Sequence, residues 1–274
     1  MRLAFLGPAG TFSEEAALRY DADAELIPFP SIVATADAML SGGADEAITP
    51  IENSYQGAVT DTLDLLIHGE GRRIKREINL EIVHHLMAAP GTAIADIRRV
   101  YSHPQALGQC QDYLQRTLPQ AELAAALSTA GSVEQAMSAD VKAAAIAPRR
   151  AAELYGAELL AENIQDGDND VTRFVVLAKS DAPPSGNDKT SVCFSFDEDK
   201  PGQLFRVMGL LAEAGINLTK VESRPTRTEL GRYYFLVDLE GHREDPAVRD
   251  VLAQVGDSVS LLKIFGSYPK FTGG

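Results

Sequence analysis

The chain has 274 residues, 45% hydrophobic and 23% charged, which is enough material for a sizeable core and for two domains. Its net charge of −14 repels nucleic acid and anionic membranes, so neither is an expected partner, and any anion site must rest on local donors. No apolar run approaches the length of a bilayer span. The opening run Arg2-Leu3-Ala4-Phe5-Leu6 reads as a strand and not as a signal segment, so the cytoplasm is the expected location.

In chain order, the apolar pattern predicts a strand over residues 3–6 and a helix over 12–20, then a short strand over 46–49 and a helix over 60–67. Strands follow at 81–89 and 99–102, a helix at 106–114, a strand at 123–127 and a helix at 133–137. A strand at 143–147, a helix at 148–155 and a β-branched strand at 171–177 complete the first part. This alternation predicts an α/β domain with mostly parallel sheets. A polar, breaker-rich linker at 180–188 marks the expected domain boundary. Beyond it the order is strand 190–196, helix 203–214, strands 216–222 and 232–239, helix 245–255 and strand 259–265. Pro201 stands near the first helix start and Gly215 just past its end. That βαββαβ order is the ferredoxin-like arrangement.

Three helix starts carry a hydroxyl at the cap with Glu or Gln three residues on: Thr11…Glu14, Ser102…Gln105 and Ser132…Gln135. Each alone is a helix cap worth about 1 kcal/mol. Together, after strands, they aim free N–H groups at the sheet edges where ligands of open α/β sheets bind, and an anion is the natural guest. The segment Thr49-Pro50-Ile51-Glu52-Asn53-Ser54-Tyr55-Gln56-Gly57 reads by composition as a polar turn. Thr172-Arg173-Phe174 opens a strand after the acidic loop 166–170, and alternation puts Thr172 and Phe174 on one face and Arg173 on the other. His68, His84 and His85 have no third ligand at a fitting spacing, and Cys110 and Cys193 read as free thiols, so no metal is expected.

These stretches together resemble the prephenate dehydratase family. The resemblance rests on Gly7-Pro8-Ala9-Gly10-Thr11-Phe12-Ser13, on Pro50-Ile51-Glu52-Asn53-Ser54 with Gly57, and on Ser102-His103-Pro104-Gln105-Ala106-Leu107 with Gln109-Cys110. It also rests on Thr172-Arg173-Phe174. In the second part, Pro201-Gly202-Gln203-Leu204, Gly215-Ile216-Asn217-Leu218-Thr219, Glu222-Ser223-Arg224-Pro225 and Gly266-Ser267-Tyr268-Pro269 resemble the family's amino-acid-sensing ACT domain. Any one motif is weak; the ordered set over nearly the whole chain is specific. Two positions depart from the family pattern: Asp170 stands where Asn is usual, and Gln203 where a small residue is common.

The resemblance implies a two-lobed, periplasmic-binding-protein-like (type II) catalytic domain over 1–180. Its first lobe takes in about 1–77 and 161–180 and its second about 78–160, followed by a ferredoxin-like ACT domain over 190–269. It implies decarboxylative dehydration of prephenate to phenylpyruvate in phenylalanine biosynthesis, without a cofactor. Thr172, Arg173 and Phe174 become catalytic candidates. Thr11, Glu52, Asn53, Ser54, Gly57, Ser102 and Gln105 become substrate-binding candidates. Gly202, Leu204, Asn217, Leu218, Glu222, Ser223 and Arg224 become candidates for binding phenylalanine as allosteric effector. A homodimer or homotetramer is implied, and a fused chorismate mutase segment is not expected. Two other readings stay open: an arogenate dehydratase, and a non-catalytic two-lobed solute-binding module, since fold alone does not decide function.

Overall fold

The computed structural model describes residues 1–167, 169–198, 200–227 and 231–272; Asp168 of the acidic loop lies outside them. The first elements are β1 (Arg2–Leu6), α1 (Phe12–Tyr20), β2 (Glu25–Phe29), α2 (Ile32–Ser41), β3 (Glu46–Asn53), β4 (Gly57–Ala58), α3 (Thr60–His68) and β5 (Arg73–Glu81). They are followed by β6 (His85–Ala88), β7 (Arg99–Ser102), α4 (Pro104–Gln109), α5 (Gln111–Thr117), β8 (Glu122–Ala125) and α6 (Thr129–Met137). Then come β9 (Ala143–Ala147), α7 (Arg149–Tyr155), β10 (Glu158–Ala161) and β11 (Val171–Ala178). The last part holds β12 (Asp188–Ser195), α8 (Gln203–Glu213), β13 (Leu218–Pro225), β14 (Tyr233–Glu240), α9 (Pro246–Ser258) and β15 (Leu261–Pro269).

The first sheet has the order β2-β1-β3-β11-β5, with β4 paired on β3; the second has the order β10-β6-β9-β7-β8. β1 runs parallel to β2 and β3, and β7 runs parallel to β8 and β9. However, β6 is antiparallel to both β9 and β10, and β4 is antiparallel to β3. The sheets are mixed, which corrects the expectation of mostly parallel ones. Strand direction depends on the partner that a strand finds, and a run of apolar residues carries no record of it.

Other expectations are corrected too. β2, α2 and β10 lie where no element was expected. α2 is bounded by the Ser31 cap, which accepts from Ala34 N (3.1 Å), and by Gly42 at φ +80°. The strand expected over 81–89 is realised as the shorter β6, after a break that holds His84, while β5 lies almost wholly before it where no element was expected. None of the three expected capping boxes closes: Thr11 caps α1, but the Glu14 carboxylate goes to Gly10 N and not to the cap. His103, not Ser102, caps α4, and Ser128, not Ser132, caps α6 by accepting from Gly131 N (3.0 Å). Both expected cap serines are fully buried, with their hydroxyls donated to carbonyls: Ser102 to Ile146 O and Ser132 to Thr129 O, each at 2.6 Å.

Two compact units divide the chain. One is Met1–Val59 with Ile78–Phe174; the other is Thr60–Glu77 with the chain from Val175 onward. In the first unit the second sheet is buried on both faces. Leu86, Val100, Ala144 and Ile146 pack with Ala106 of α4, Leu114 of α5 and Cys110 between the two helices. The alternate residues Met87, Ala143, Ala145 and Ala147 pack with Val133 of α6 and Ala151 of α7. β9, the run Ala-Ala-Ala-Ile-Ala, explains how both helix layers close in: small side chains on both faces bring the helices near the backbone.

In the second unit the sheet order is β13-β14-β12-β15, all antiparallel, as the βαββαβ order requires. Val192, Phe194, Val237 and Leu239 face Val207 and Leu211 of α8 and Val251 and Leu252 of α9. Each such fully buried aliphatic side chain stabilises the fold by about 1.5–3 kcal/mol. Polar ties join the same sheet to α3 and β5. Arg224 pairs with Asp64 (2.8 Å), Lys189 with the buried Glu77 (2.9 Å), and Arg73 donates to Ile264 O (2.7 Å).

Candidate active site

The first unit contains a cavity of about 110 Å³ lined by Phe12, Ile82, His84, His103, Gln105, Ala106, Gln109, Thr129 and Thr172. Its parts come from helix starts and strand ends. Phe12 and Thr129 open α1 and α6, and Gln105 and Gln109 lie on α4. His84 lies in the break between β5 and β6, and Thr172 is the second residue of β11.

The sequence explains each position locally. Thr11 caps α1 by accepting from Glu14 N (3.5 Å) and donates its hydroxyl to Pro8 O (2.9 Å). The carboxylate of Glu14 returns not to the cap but to Gly10 N (2.5 Å), an acid placed favourably at a helix N-terminus. Gly10 has φ +85°, and a Cβ there would lie 3.2–3.3 Å from Ala151 and Ala130, so only glycine fits without strain. His103 caps α4 through Nδ1, which accepts from Gln105 N (3.3 Å), and Pro104 takes the first helical position, where its missing N–H costs nothing.

Asn53 ends β3. Its Oδ1 accepts from Tyr55 N and Gln56 N (3.0 Å each), which closes the turn into β4, and Gly57 completes that turn at φ +76°. The amide nitrogen of Asn53 is thereby turned to the other side. It donates to Thr172 Oγ1 (3.0 Å) and to Asp170 Oδ1 (2.7 Å). Asp170 Oδ2 accepts from Gln109 Nε2 (2.6 Å), and Gln109 Oε1 meets His84 Nε2 (2.9 Å). Ser54 Oγ accepts from Val171 N (3.0 Å) and directs its hydrogen towards Asn169 O (3.3 Å) and Asp170 Oδ1 (3.4 Å). One hydrogen-bonded chain therefore runs Thr172–Asn53–Asp170–Gln109–His84. Asn53, Asp170, Thr172 and His84 are buried.

Burial lowers the basicity of His84 and His103, so both rings are held neutral at pH 7. Burial also pushes the thiol of Cys110 up and out of reach of ionisation, which leaves it inert. Among the described residues no cluster of His, Cys, Asp and Glu could hold a metal ion.

Of the residues expected at the site, Thr172 and Gln105 line the cavity, and Asn53 touches it through Thr172. Ser54 braces Asp170 and the start of β11. Arg173 lies on the other side of β11, 3.7 Å from Glu52, so these two form an ion pair away from the cavity lining. Gly57 is a turn residue and Thr11 a helix cap. Two expectations are corrected. Phe174 is 2% exposed and belongs to the core, because alternation along β11 carries it one step deeper than Thr172. Ser102 is buried beneath the site with its hydroxyl bonded to Ile146 O, so it offers nothing to a ligand. His84, His103, Gln109, Asp170 and Thr129 were missed as site residues. His103, Gln109 and Asp170 stood within or beside a recognised motif, while His84 and Thr129 gave no local signal.

The second unit holds a separate cavity of about 310 Å³ with an aromatic lining: Phe196, Phe205, Tyr233 and Phe235 beside Gly202, Leu204 and Lys200. Of the expected effector residues, Gly202 and Leu204 line it. Asn217, Leu218, Glu222, Ser223 and Arg224 do not. Arg224 pairs with Asp64 and donates to Thr60 O (3.0 Å), and Glu222 pairs with Lys220 (3.1 Å).

Residues 3–182 match the family model described as prephenate dehydratase, and residues 198–257 match that of the ACT domain. A bifunctional chorismate mutase/prephenate dehydratase of Aquifex aeolicus is 39% identical over 271 residues, covering 98% of this chain and 74% of that protein. The crystal structure of an Arthrobacter aurescens prephenate dehydratase in complex with L-Phe superposes with a TM-score of 0.91 at 37% identity, covering 98% of this chain and 90% of that one. A structure described as GqqA, a novel type of quorum quenching acylase, superposes with a TM-score of 0.90 at 30% identity, covering 99% of each chain. The ordered motifs, the mixed two-sheet α/β fold followed by a ferredoxin-like module, and these matches lead to one conclusion: the chain belongs to the prephenate dehydratase family.

Proposed function

We propose that this chain converts prephenate to phenylpyruvate, carbon dioxide and water, with Thr172 as the group that helps the ring hydroxyl leave. One observation carries the reading. Thr172 Oγ1 accepts from Asn53 Nδ2 at 3.0 Å in the wall of the cavity. With one lone pair so occupied, its own O–H remains free to donate to a leaving oxygen. When carbon dioxide departs, its bonding pair moves through the ring diene to expel the 4-hydroxyl as hydroxide, which takes up a proton as it leaves. Aromatisation drives the step, so no strong nucleophile or cofactor is needed. A threonine hydroxyl is a weak acid; positioning and hydrogen bonding supply the rest. The side chain of Gln105 is a neutral donor suited to a substrate carboxylate. The cavity is below the roughly 300 Å³ usual for ligand sites, so entry of a ring acid entails some opening of its walls.

An acylase reading, which the GqqA likeness raises, calls for a nucleophile activated by a base. The hydrogen bonds of the two cavity histidines run to the Gln109 side chain and the Gln105 N–H, not to a hydroxyl. Arogenate dehydration shares the chemistry and differs by one side-chain substituent. Pure protein given prephenate, arogenate and an acyl-homoserine lactone in separate assays, with phenylpyruvate, phenylalanine and the released homoserine lactone followed respectively, decides among the three; no phenylpyruvate from prephenate removes this reading.

The domain organisation that fits the reading is a catalytic part over 1–180 and an ACT module over 190–269 that binds phenylalanine between paired copies in a homodimer or homotetramer. The aromatic cavity beside Gly202 and Leu204 supports that role. The cytoplasm is the compartment in which such a biosynthetic enzyme works. Among the described residues no helix is long and apolar enough to cross a membrane.

A further inference from the structure

We propose that Asp170 is a positioning residue that fixes the donor and acceptor sense of the hydrogen-bonded chain behind Thr172. The place of this chain behind a reacting hydroxyl rests on the dehydratase reading, but the wiring itself is argued from geometry alone. A carboxylate can only accept. Asp170, 4% exposed, receives Asn53 Nδ2 at 2.7 Å on one oxygen and Gln109 Nε2 at 2.6 Å on the other. Both amides must therefore turn their N–H groups towards it.

The two arms are not equally secured. Asn53 is held a second time, because its oxygen takes the backbone N–H groups of Tyr55 and Gln56. Reversing it would abandon both bonds. Gln109 has no such second anchor on its amide: its remaining contact is the ring of His84. With Nε2 on Asp170, Gln109 presents Oε1 to His84 Nε2, so that ring nitrogen must carry the hydrogen. His84 Nδ1 is then the bare nitrogen, and it is buried with no hydrogen-bond partner. An imidazole in a cavity wall thus has its tautomer chosen by a carboxylate two residues from Thr172. The neutral state that burial imposes on His84 makes that choice meaningful.

An asparagine at position 170 keeps the shape and changes the sense. Its oxygen must stay on the anchored Asn53, so its NH₂ faces Gln109. Gln109 must then turn over and offer Nε2 to His84, which can accept only with its hydrogen on Nδ1. Asp170→Asn therefore reverses the tautomer of His84, visible by imidazole ¹⁵N NMR with the signal assigned by its loss in His84→Gln. The double variant Asp170→Asn/Gln109→Glu restores every sense, since the carboxylate introduced at position 109 accepts both from the new amide at position 170 and from His84. The double variant is expected to recover the Nε2–H tautomer.

An unchanged tautomer in Asp170→Asn overturns the proposal, and so does a double variant that keeps the tautomer of the single one. The tautomer arm needs no substrate. If wild-type protein left prephenate untouched, the dehydratase reading would fall while the NMR result would still judge the wiring.

Discussion

Thr172 is one residue among many polar ones in the sequence, and what distinguishes it is a partner 119 residues away. Its alanine variant loses the hydroxyl and leaves Asn53 with a spare N–H. We expect Thr172→Ala to lower kcat by about 100-fold or more, the usual scale for acid–base groups, with the fold intact by circular dichroism. Turnover within a few-fold of wild type would remove Thr172 from the mechanism. The histidines give a second prediction at this scale. Burial depresses the pKa of His84, His85 and His103 in the folded chain. Between those values and the unfolded value of about 6.5, the unfolded chain binds more protons, so stability is full above that value and is lost as pH falls. The urea midpoint should therefore drop from pH 7.5 to pH 5.5, with a slope of up to about 1.4 kcal/mol per pH unit for each such proton. His84→Gln should flatten that slope; an unchanged slope would mean that its ring is protonated in the native state.

At the scale of elements, close approach matters more than propensity. β15 passes over β5 at Gly266, where a Cβ would lie 2.2 Å from Ile74 O and 2.6 Å from Ile74 N. Backbone atoms in a paired strand cannot step aside as a flexible side chain can. Gly266→Ala is expected to destabilise the chain by about 3 kcal/mol or more, or to abolish soluble expression, whereas Gly209→Ala, with open space around it, should be neutral or slightly stabilising. Equal urea midpoints for the two variants would show that β15 does not press on β5. Long, periodic elements such as α1, α8 and β11 were legible in the sequence to within a few residues. β5 was not: no strand was expected over Arg73-Ile74-Lys75-Arg76-Glu77, because its charged side chains find their partners in distant elements, Arg73 at Ile264 and Glu77 at Lys189. The same ties bear on truncation. A chain cut before Lys189 would strip Glu77, 3% exposed, of its Lys189 partner and disturb the interior around it. Effector sensitivity is for that reason better tested by point changes such as Leu204→Ala in the full chain.

For the whole molecule, charge sets the terms of substrate capture. A net charge of −14 opposes the approach of a dianion, while the donors around the cavity are neutral. The long-range term is screened by salt, with a Debye length that falls from about 30 Å at 0.01 M to about 8 Å at 0.15 M; buried hydrogen bonds are hardly affected. We therefore expect KM for prephenate to fall by a factor of about two to five over that range, with kcat unchanged. A KM that rises with salt would point instead to a net cationic attraction.

The sequence by itself determined the family, the order of most elements and the motif that contains Thr172. Those features are local: helix caps, breakers, apolar periods and short ordered signatures each sit within a few consecutive residues. Tertiary structure alone decided which of the motif residues face a cavity and which serve the core. Ser102 and Phe174 belong to the signatures yet are buried, while His84 and Thr129 reach the site from stretches with no signature of their own. The reason is that a hydrogen-bonded chain such as Thr172–Asn53–Asp170–Gln109–His84 is assembled from stretches far apart in sequence. Its donors and acceptors are chosen by what each group finds opposite it after folding, a choice that no window of the sequence contains.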